Sequence, residues 1–400
     1  MNKDSNWTRR YFLKAACIGG VASILTQKHK PLSASGDAAI VPTRLFGNTG
    51  IAVPILGFGT SLHVTFGQLL LKQAVKRGVT YWDTAHTYMG GNSEKAIGKY
   101  FEKYPADRKK VFLVTKSHAW KADDRSRDLN KSLERMQTDY IDLYFAHGVG
   151  SAAELDTQVQ RWAQKAKAKG KIRYFGFSTH RNVEHCLLAA ANLGWIDGIM
   201  MRYNFRSMHS EKMKRAVEAC AKAGIGLTAM KTQGGGQVKT DTATELDMAG
   251  RFLKKGFTDA QAKLKAVWQN PLIASICSEM PNMTLLMSNV AAAVDKISLT
   301  ARDMQLLQQY ARKTRSDYCD GCADICESAT LTRVPIADVM RYLMYARSYG
   351  NHCRAINLFR KIPAKVRAQM IHLDYRLAEQ KCPRKMAIGR LVKTAIEELS

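Results

Sequence analysis

Runs of valine, isoleucine, leucine, phenylalanine and tyrosine recur along the chain at 55–58, 79–83, 111–115, 141–146, 174–178, 196–203, 225–230 and 273–277. The runs are apolar on both faces, so they predict strands of a parallel sheet covered on each side. Between them lie stretches with helical spacing: 68–76 closed by Gly78, 92–101 opened by Ser93-Glu94, 129–136, and 155–168 stopped by Gly170. Ahead of the first strand, 44–53 with Gly47-Asn48-Thr49-Gly50 at its centre predicts a β-hairpin. Strands alternating with helices over 42–299 predict an α/β chain folded as a (β/α)8 TIM barrel. From Thr300 the strand pattern stops, and 300–400 reads as an appended helical domain carrying cysteines.

Chemistry-bearing residues stand where these strands end. Val-Thr-Tyr-Trp runs into Asp83, with Tyr88 on the loop beyond; 111–115 runs into Lys116; 141–146 runs into His147. In a (β/α) barrel those ends share one rim, where the chemistry sits. A tyrosine acts as an acid near neutral pH only when its ordinary value of about 10 is lowered, which a neighbouring lysine cation does. A carboxylate keeps that lysine charged and placed, and a histidine orients the substrate oxygen.

These residues resemble the aldo-keto reductase family. Asp83-Thr84-Ala85-x-x-Tyr88, Val114-Thr115-Lys116 and Leu143-Tyr144-Phe145-Ala146-His147 match its Asp/Tyr/Lys/His tetrad in identity, order and strand context, over residues 42–293. The resemblance implies carbonyl–alcohol interconversion with NADP(H) or NAD(H), and it implies cofactor contacts at Ser178, Tyr203, Lys231 and Asn289. Around these, the family pattern is incomplete. Thr179 stands where relatives carry asparagine, Met200 where many carry glutamine, and Leu285 where an arginine for the adenosine 2′-phosphate is expected. The glycine loop Gly234-Gly235-Gly236 beyond the seventh strand suits a phosphate or a mobile lid. The proton machinery is therefore intact and the dinucleotide site eroded.

Charge and the N-terminus change the setting. Sixty-one basic against 34 acidic residues give a net charge of +27. The basic residues are spread along most helices, and no nucleic-acid module accompanies them, so nucleic acid is not the expected partner. Thr8-Arg9-Arg10-Tyr11-Phe12-Leu13-Lys14, followed by a weakly apolar run at 15–25, resembles a twin-arginine export signal occupying 1–38. That run is shorter than the ~20 residues a spanning helix needs, so no stable membrane anchor is expected. Lys14 stands where a lipobox wants an apolar residue, which rejects lipidation at Cys17. The expected location is the periplasm.

The tail concentrates its cysteines. Cys319-x-x-Cys322-x-x-x-Cys326 is a tight group, and Cys382-Pro383 supplies a remote fourth. Four thiolates of this kind admit a 4Fe–4S cluster, structural zinc, or two disulfides in an oxidising compartment. The tail also resembles that of exported aldo-keto reductases with an appended iron–sulfur domain, through Val334-Pro335-Ile336-x-Asp338-Val339-Met340-Arg341, and that resemblance implies the cluster. Cys186, Cys220 and Cys277 lie in apolar barrel elements; Cys353, beside His352, is off-pattern. The sequence thus predicts an exported oxidoreductase acting on a small carbonyl or alcohol, with Tyr88 as general acid/base. The alternatives are an iron–sulfur electron-transfer protein, with a redox partner and no exchangeable NAD(P)H, and a binding protein that has lost catalysis.

Overall fold

The computed structural model describes residues 39–61, 68–235, 243–332 and 334–400. The twin-arginine segment with Arg9, Arg10 and Cys17, and Gly236 of the glycine loop, lie outside the described residues. Residues 39–400 form one compact unit.

The hairpin is β1 (Thr43–Leu45) and β2 (Ala52–Pro54), paired antiparallel. Eight parallel strands then close a barrel: β3 (Leu56–Gly59), β4 (Tyr81–Asp83), β5 (Phe112–Ser117), β6 (Ile141–His147), β7 (Ile172–Thr179), β8 (Gly198–Arg202), β9 (Gly226–Met230) and β10 (Ser275–Glu279). Helices α1 (Gln68–Lys76), α2 (Asn92–Lys103), α3 (Ala122–Met136), α4 (Thr157–Ala168), α5 (Val183–Ala190) and α6 (Glu211–Lys222) alternate with the strands. Helices α7 (Ala243–Lys254) and α8 (Asp259–Trp268) lead to β10, and α9 (Met283–Val294) follows it. Helix α3 begins at Ala122 rather than 129, because its first two turns are polar and show no apolar periodicity.

Side chains alternate between two cores. Trp82, Leu113, Tyr144, Phe175, Met201 and Leu227 pack outward beneath the helices. Tyr81, Val114, Leu143, Phe145 and Met200 fill the barrel interior. Phe46, from the hairpin, plugs the bottom. A Cβ on Gly198 would lie 2.7 Å from its ring and one on Gly226 2.4 Å, so both strand starts need glycine.

Helix α10 (Ala301–Lys313) packs Leu306, Leu307 and Tyr310 into the barrel's outer core, so the separate tail begins beyond Lys313 rather than at Thr300. Six further helices follow: α11 (Ala323–Cys326), α12 (Ile336–Arg347), α13 (His352–Phe359), α14 (Ala364–Met370), α15 (Arg376–Lys381) and α16 (Ile388–Leu399). They enclose a second core around Val339, Leu343, Phe359, Ala378 and Val392. No described helix is long and apolar enough to cross a membrane.

The tail docks on the rim at the C-terminal ends of the strands. Arg181 pairs with Glu327 at 2.8 Å, the Asn182 amide donates to Asp324 at 2.8 Å, and the Asn204 amide donates to Tyr318 Oη at 3.1 Å. Asp320 bridges Arg202 of β8, at 3.3 Å, and Arg384 of the tail. Gly321, with φ +68°, brings its Cα so close to the His180 carbonyl that a Cβ would sit 2.2 Å from the oxygen.

Candidate active site

The two-residue period of the strands builds the site. Tyr81 and Asp83 face inward on β4, Val114 and Lys116 on β5, and Phe145 and His147 on β6. Asp83 is in register with Val114, so Lys116 stands one inward step higher; Lys116 is in register with Phe145, so His147 stands higher again. Lys116 is an interior residue of β5, not the residue after it. Its Nζ lies 2.6 Å from Asp83 Oδ1, donates to the Thr84 carbonyl at 2.6 Å, and reaches Tyr88 Oη at 3.5 Å. The Tyr88 and His147 rings meet edge to face with centroids 5.7 Å apart.

Tyr88 sits at the start of a tight turn, Tyr88–Gly91, in which Met89, Gly90 and Gly91 all take positive φ. Arg135 of α3 locks that turn. Its guanidinium donates to the His86 carbonyl at 2.9 Å and pairs with buried Glu94 at 3.0 Å. It lies so close beneath Gly91 that a Cβ there would be 2.4 Å away.

Burial raises the Asp83 carboxyl above its ordinary value, and Lys116 pulls it back. Burial opposes the Lys116 charge, yet Asp83 and Tyr88 carry its pKa above the ordinary one. At 2.6 Å the lysine's direction decides, and the pair is ionised. Burial pushes the Tyr88 phenol up to about 12, outweighing the downward pull of Lys116. The expected lowering by Lys116 is present, and burial opposes it. Burial, the stacked His118 ring 4.0 Å away, and Lys116, Arg341 and Arg354 push His147 well below its usual range, so it is neutral at pH 7. A neutral phenol next to an ammonium can give a proton to a developing alkoxide, a far stronger base than phenolate.

The expected cofactor contacts lie on separate elements. Ser178 is buried at the top of β7, its Oγ accepting from the Gly148 amide at 3.1 Å. Lys231 follows β9 with φ +59°, its Nζ 4.6 Å from the Tyr345 ring centroid. The Asn289 amide donates to Ser278 Oγ at 3.1 Å beside β10. Tyr203 points out of the barrel into the helix layer, where its hydroxyl receives the Asn270 amide at 2.8 Å. The alternation that turns Met200 and Arg202 inward turns Tyr203 outward, which corrects its placement as a cofactor contact. The glycine loop is packed, too. A Cβ on Gly234 would lie 2.7 Å from Phe205, and one on Gly235 3.2 Å from Tyr318. These two glycines permit close side-chain approach.

Cys319, Cys322, Cys326 and Cys382 all line one cavity, together with Ile336, Met340, Pro383, Met386 and Ile388. None of the described cysteines is bonded to another. No three His, Cys, Asp or Glu side chains among the described residues are drawn together to hold a metal ion. The Gly321 amide donates to Cys319 Sγ at 3.3 Å. Asp320 and Arg384 complete the cavity's lining.

Several residues at the mouth escaped the sequence reading. Cys277 of β10 lies 3.6 Å from Asp83 Oδ2, against the expectation of a merely apolar setting. Strand alternation could have placed it. His118, Arg341 and Arg354 had no local signal, since only the fold brings them to His147.

The family described as aldo/keto reductase matches residues 64–312 of this chain. L-galactose dehydrogenase of Arabidopsis thaliana is 25% identical over 288 residues, covering 65% of this chain and 90% of that protein. Aldo-keto reductase yakc [NADP(+)] of Schizosaccharomyces pombe is 30% identical over 217 residues, covering 49% of this chain and 62% of that one. An aldo-keto reductase of Fusarium vanettenii is likewise spanned over only 62% of its length. In structure, the aldo/keto reductase of Klebsiella pneumoniae in complex with NADP and acetate superposes with a TM-score of 0.57 at 24% identity, over 68% of this chain and 96% of that one. That likeness concerns the fold.

Proposed function

The chain belongs to the aldo/keto reductase family, and on that premise we propose that it interconverts a carbonyl and an alcohol, with Tyr88 as the acid and base. The observation that carries the reading is the contact chain Asp83–Lys116–Tyr88, at 2.6 and 3.5 Å, with a neutral histidine ring against the phenol. A nicotinamide cofactor, bound, supplies or accepts the hydride. The Schizosaccharomyces pombe relative carries NADP(+) in its name, and Ser178, Lys231 and Asn289 are the residues here that would hold such a group. In the reducing direction Tyr88 Oη gives its proton to the substrate oxygen, the Lys116 ammonium stabilises the phenolate left behind, and Asp83 keeps Lys116 charged and aimed. His147 orients the oxygen. In oxidation the phenolate takes the proton back. Tyr88→Phe keeps the ring and removes the proton, so turnover of an aldehyde panel with NADPH or NADH should fall by roughly 10²–10⁴; turnover near the unaltered level would refute the role.

The tail cysteines are proposed to hold a 4Fe–4S cluster, a reading supported by four free thiols around one cavity. The chain is proposed to be exported to the periplasm by the twin-arginine route, on the strength of Arg9-Arg10 before an apolar run. Replacing both arginines with lysine should leave the protein in the cytoplasm, and undiminished periplasmic recovery would remove that reading.

A further inference from the structure

The tail places two guanidinium groups over the barrel mouth. Arg354 of α13 donates to Ser61 Oγ, beyond β3, at 2.9 Å, and stands 4.0 Å from Glu279 at the end of β10. Arg341 of α12 pairs with Asp338 at 2.8 Å. Both act on the catalytic His147 and on His180, and Arg354 acts on Tyr88 as well. Lys231 and Arg354 lie over one ring, that of Tyr345, at 4.6 and 4.8 Å.

The acids nearby are already engaged. Asp83 is held by Lys116. Asp338 is shared between Arg341 and Arg181. Glu279 accepts from the Ser61 hydroxyl and stands 4.0 Å from Arg354. Among the described residues, Arg341, Arg354 and Lys231 therefore face two carboxylates, Asp338 and Glu279. Tyr345 reports the result: burial alone would push its phenol up, but Lys231, Arg341 and Arg354 bring it below its ordinary value. A partly buried excess of cations is costly unless an anion enters, and guanidinium forks suit carboxylate and phosphate.

We propose that Arg341 and Arg354 hold an acidic group, a carboxylate or phosphate, on the carbonyl or alcohol substrate, so that the tail selects anionic substrates for the barrel. The proposal rests on the oxidoreductase reading above. The acidic group is assigned to the substrate because Arg354 reaches Ser61 beyond β3 and Glu279 at the end of β10, the strand whose Cys277 touches Asp83.

Calorimetric titration of the full-length protein with benzoate, against neutral benzamide, tests the site without turnover. Benzoate should bind, and benzamide about tenfold more weakly or worse. Arg341→Gln and Arg354→Gln should each weaken benzoate about tenfold while leaving benzamide unchanged. Glutamine preserves a donor for Ser61, and thermal melts verify that each variant is folded; Arg354→Lys should recover part of the loss. Benzoate affinity that survives saturating NADP supports the substrate assignment, whereas competitive displacement by NADP assigns the cations to the cofactor and overturns it. Equal binding of benzoate and benzamide, or variants that bind benzoate normally, also overturns it. In turnover, 4-carboxybenzaldehyde should be preferred to 4-methylbenzaldehyde at least about tenfold in kcat/KM, and equal use would overturn the proposal. Benzoate binding of the expected pattern, with no aldehyde reduced, would instead defeat the oxidoreductase reading and leave the anion site standing.

Discussion

The barrel and the tail reach the same mouth by different physical means. Three of the four tetrad side chains project from strands whose inner neighbours are packed, Tyr81 under Asp83, Val114 under Lys116 and Phe145 under His147, and Tyr88 stands on the turn that Arg135 locks. Hydrogen-bonded register fixes their heights. The tail instead consists of helices of 4 to 12 residues, lengths at which an isolated helix is marginal in water. Its order comes from its own small core and from ion pairs to the rim, with Asp320 between Arg202 and Arg384 at the centre. The proposed proton transfer is thus built on register-fixed strands and the turn that Arg135 locks. The charges proposed to meet a ligand come from a separately packed part, whose sequence can change without disturbing the strands.

That contrast can be broken at its tail end first. If the cavity holds a cubane cluster, anaerobically purified protein should be brown, with about four irons per chain, and Cys382→Ser should lose nearly all of the iron. The tail should loosen with it, since Cys382 ties the α15–α16 turn back to the Cys319 loop, while the barrel unfolds as before. Iron retained without Cys382 would mean another fourth ligand, and zinc would make the tail a structural clasp. A smaller effect is expected at the docking seam. Asp320→Asn leaves Arg202, 5% exposed, without its carboxylate. The cost should be roughly 2 kcal/mol, below the roughly 3–5 of a fully buried pair because Asp320 keeps some contact with water. Denaturant unfolding should assign that loss to the tail, and a loss confined to the barrel would erase the distinction.

The pH profile should change least. With Tyr88 raised to about 12, its acid form persists above the ordinary tyrosine range. His147, held well below its usual value, stays neutral down into acid. The single-turnover rate of reduction should therefore be flat from pH 7 to about 10, and a fall centred near the ordinary value of about 10 would show that burial does not govern the phenol.

The strands were legible because each is covered on both faces and so reads as an uninterrupted apolar run. Asp83, Tyr88, Lys116 and His147 were legible because they stand at the ends of those runs in a fixed order. What was not legible turns on one residue of register or on distance along the chain. Tyr203 and Arg202 are neighbours, but only Arg202 faces inward, and a strand boundary uncertain by one residue exchanges them. The glycines at 234 and 235 carry the same composition whether they cradle phosphate or admit Tyr318. Arg341 and Arg354 lie in ordinary helical patterns, and no local signal marks a side chain that meets its partner only after the tail has docked.

The division of labour between the two parts is tested most directly by steady-state kinetics of Tyr88→Phe and Arg354→Gln, side by side, on 4-carboxybenzaldehyde. The barrel variant should lose kcat by roughly 10²–10⁴ with KM little changed. The tail variant should keep most of kcat and raise KM about tenfold. A Tyr88→Phe enzyme with ordinary kcat, or an Arg354→Gln enzyme that loses kcat as deeply as Tyr88→Phe at unchanged KM, would contradict the account.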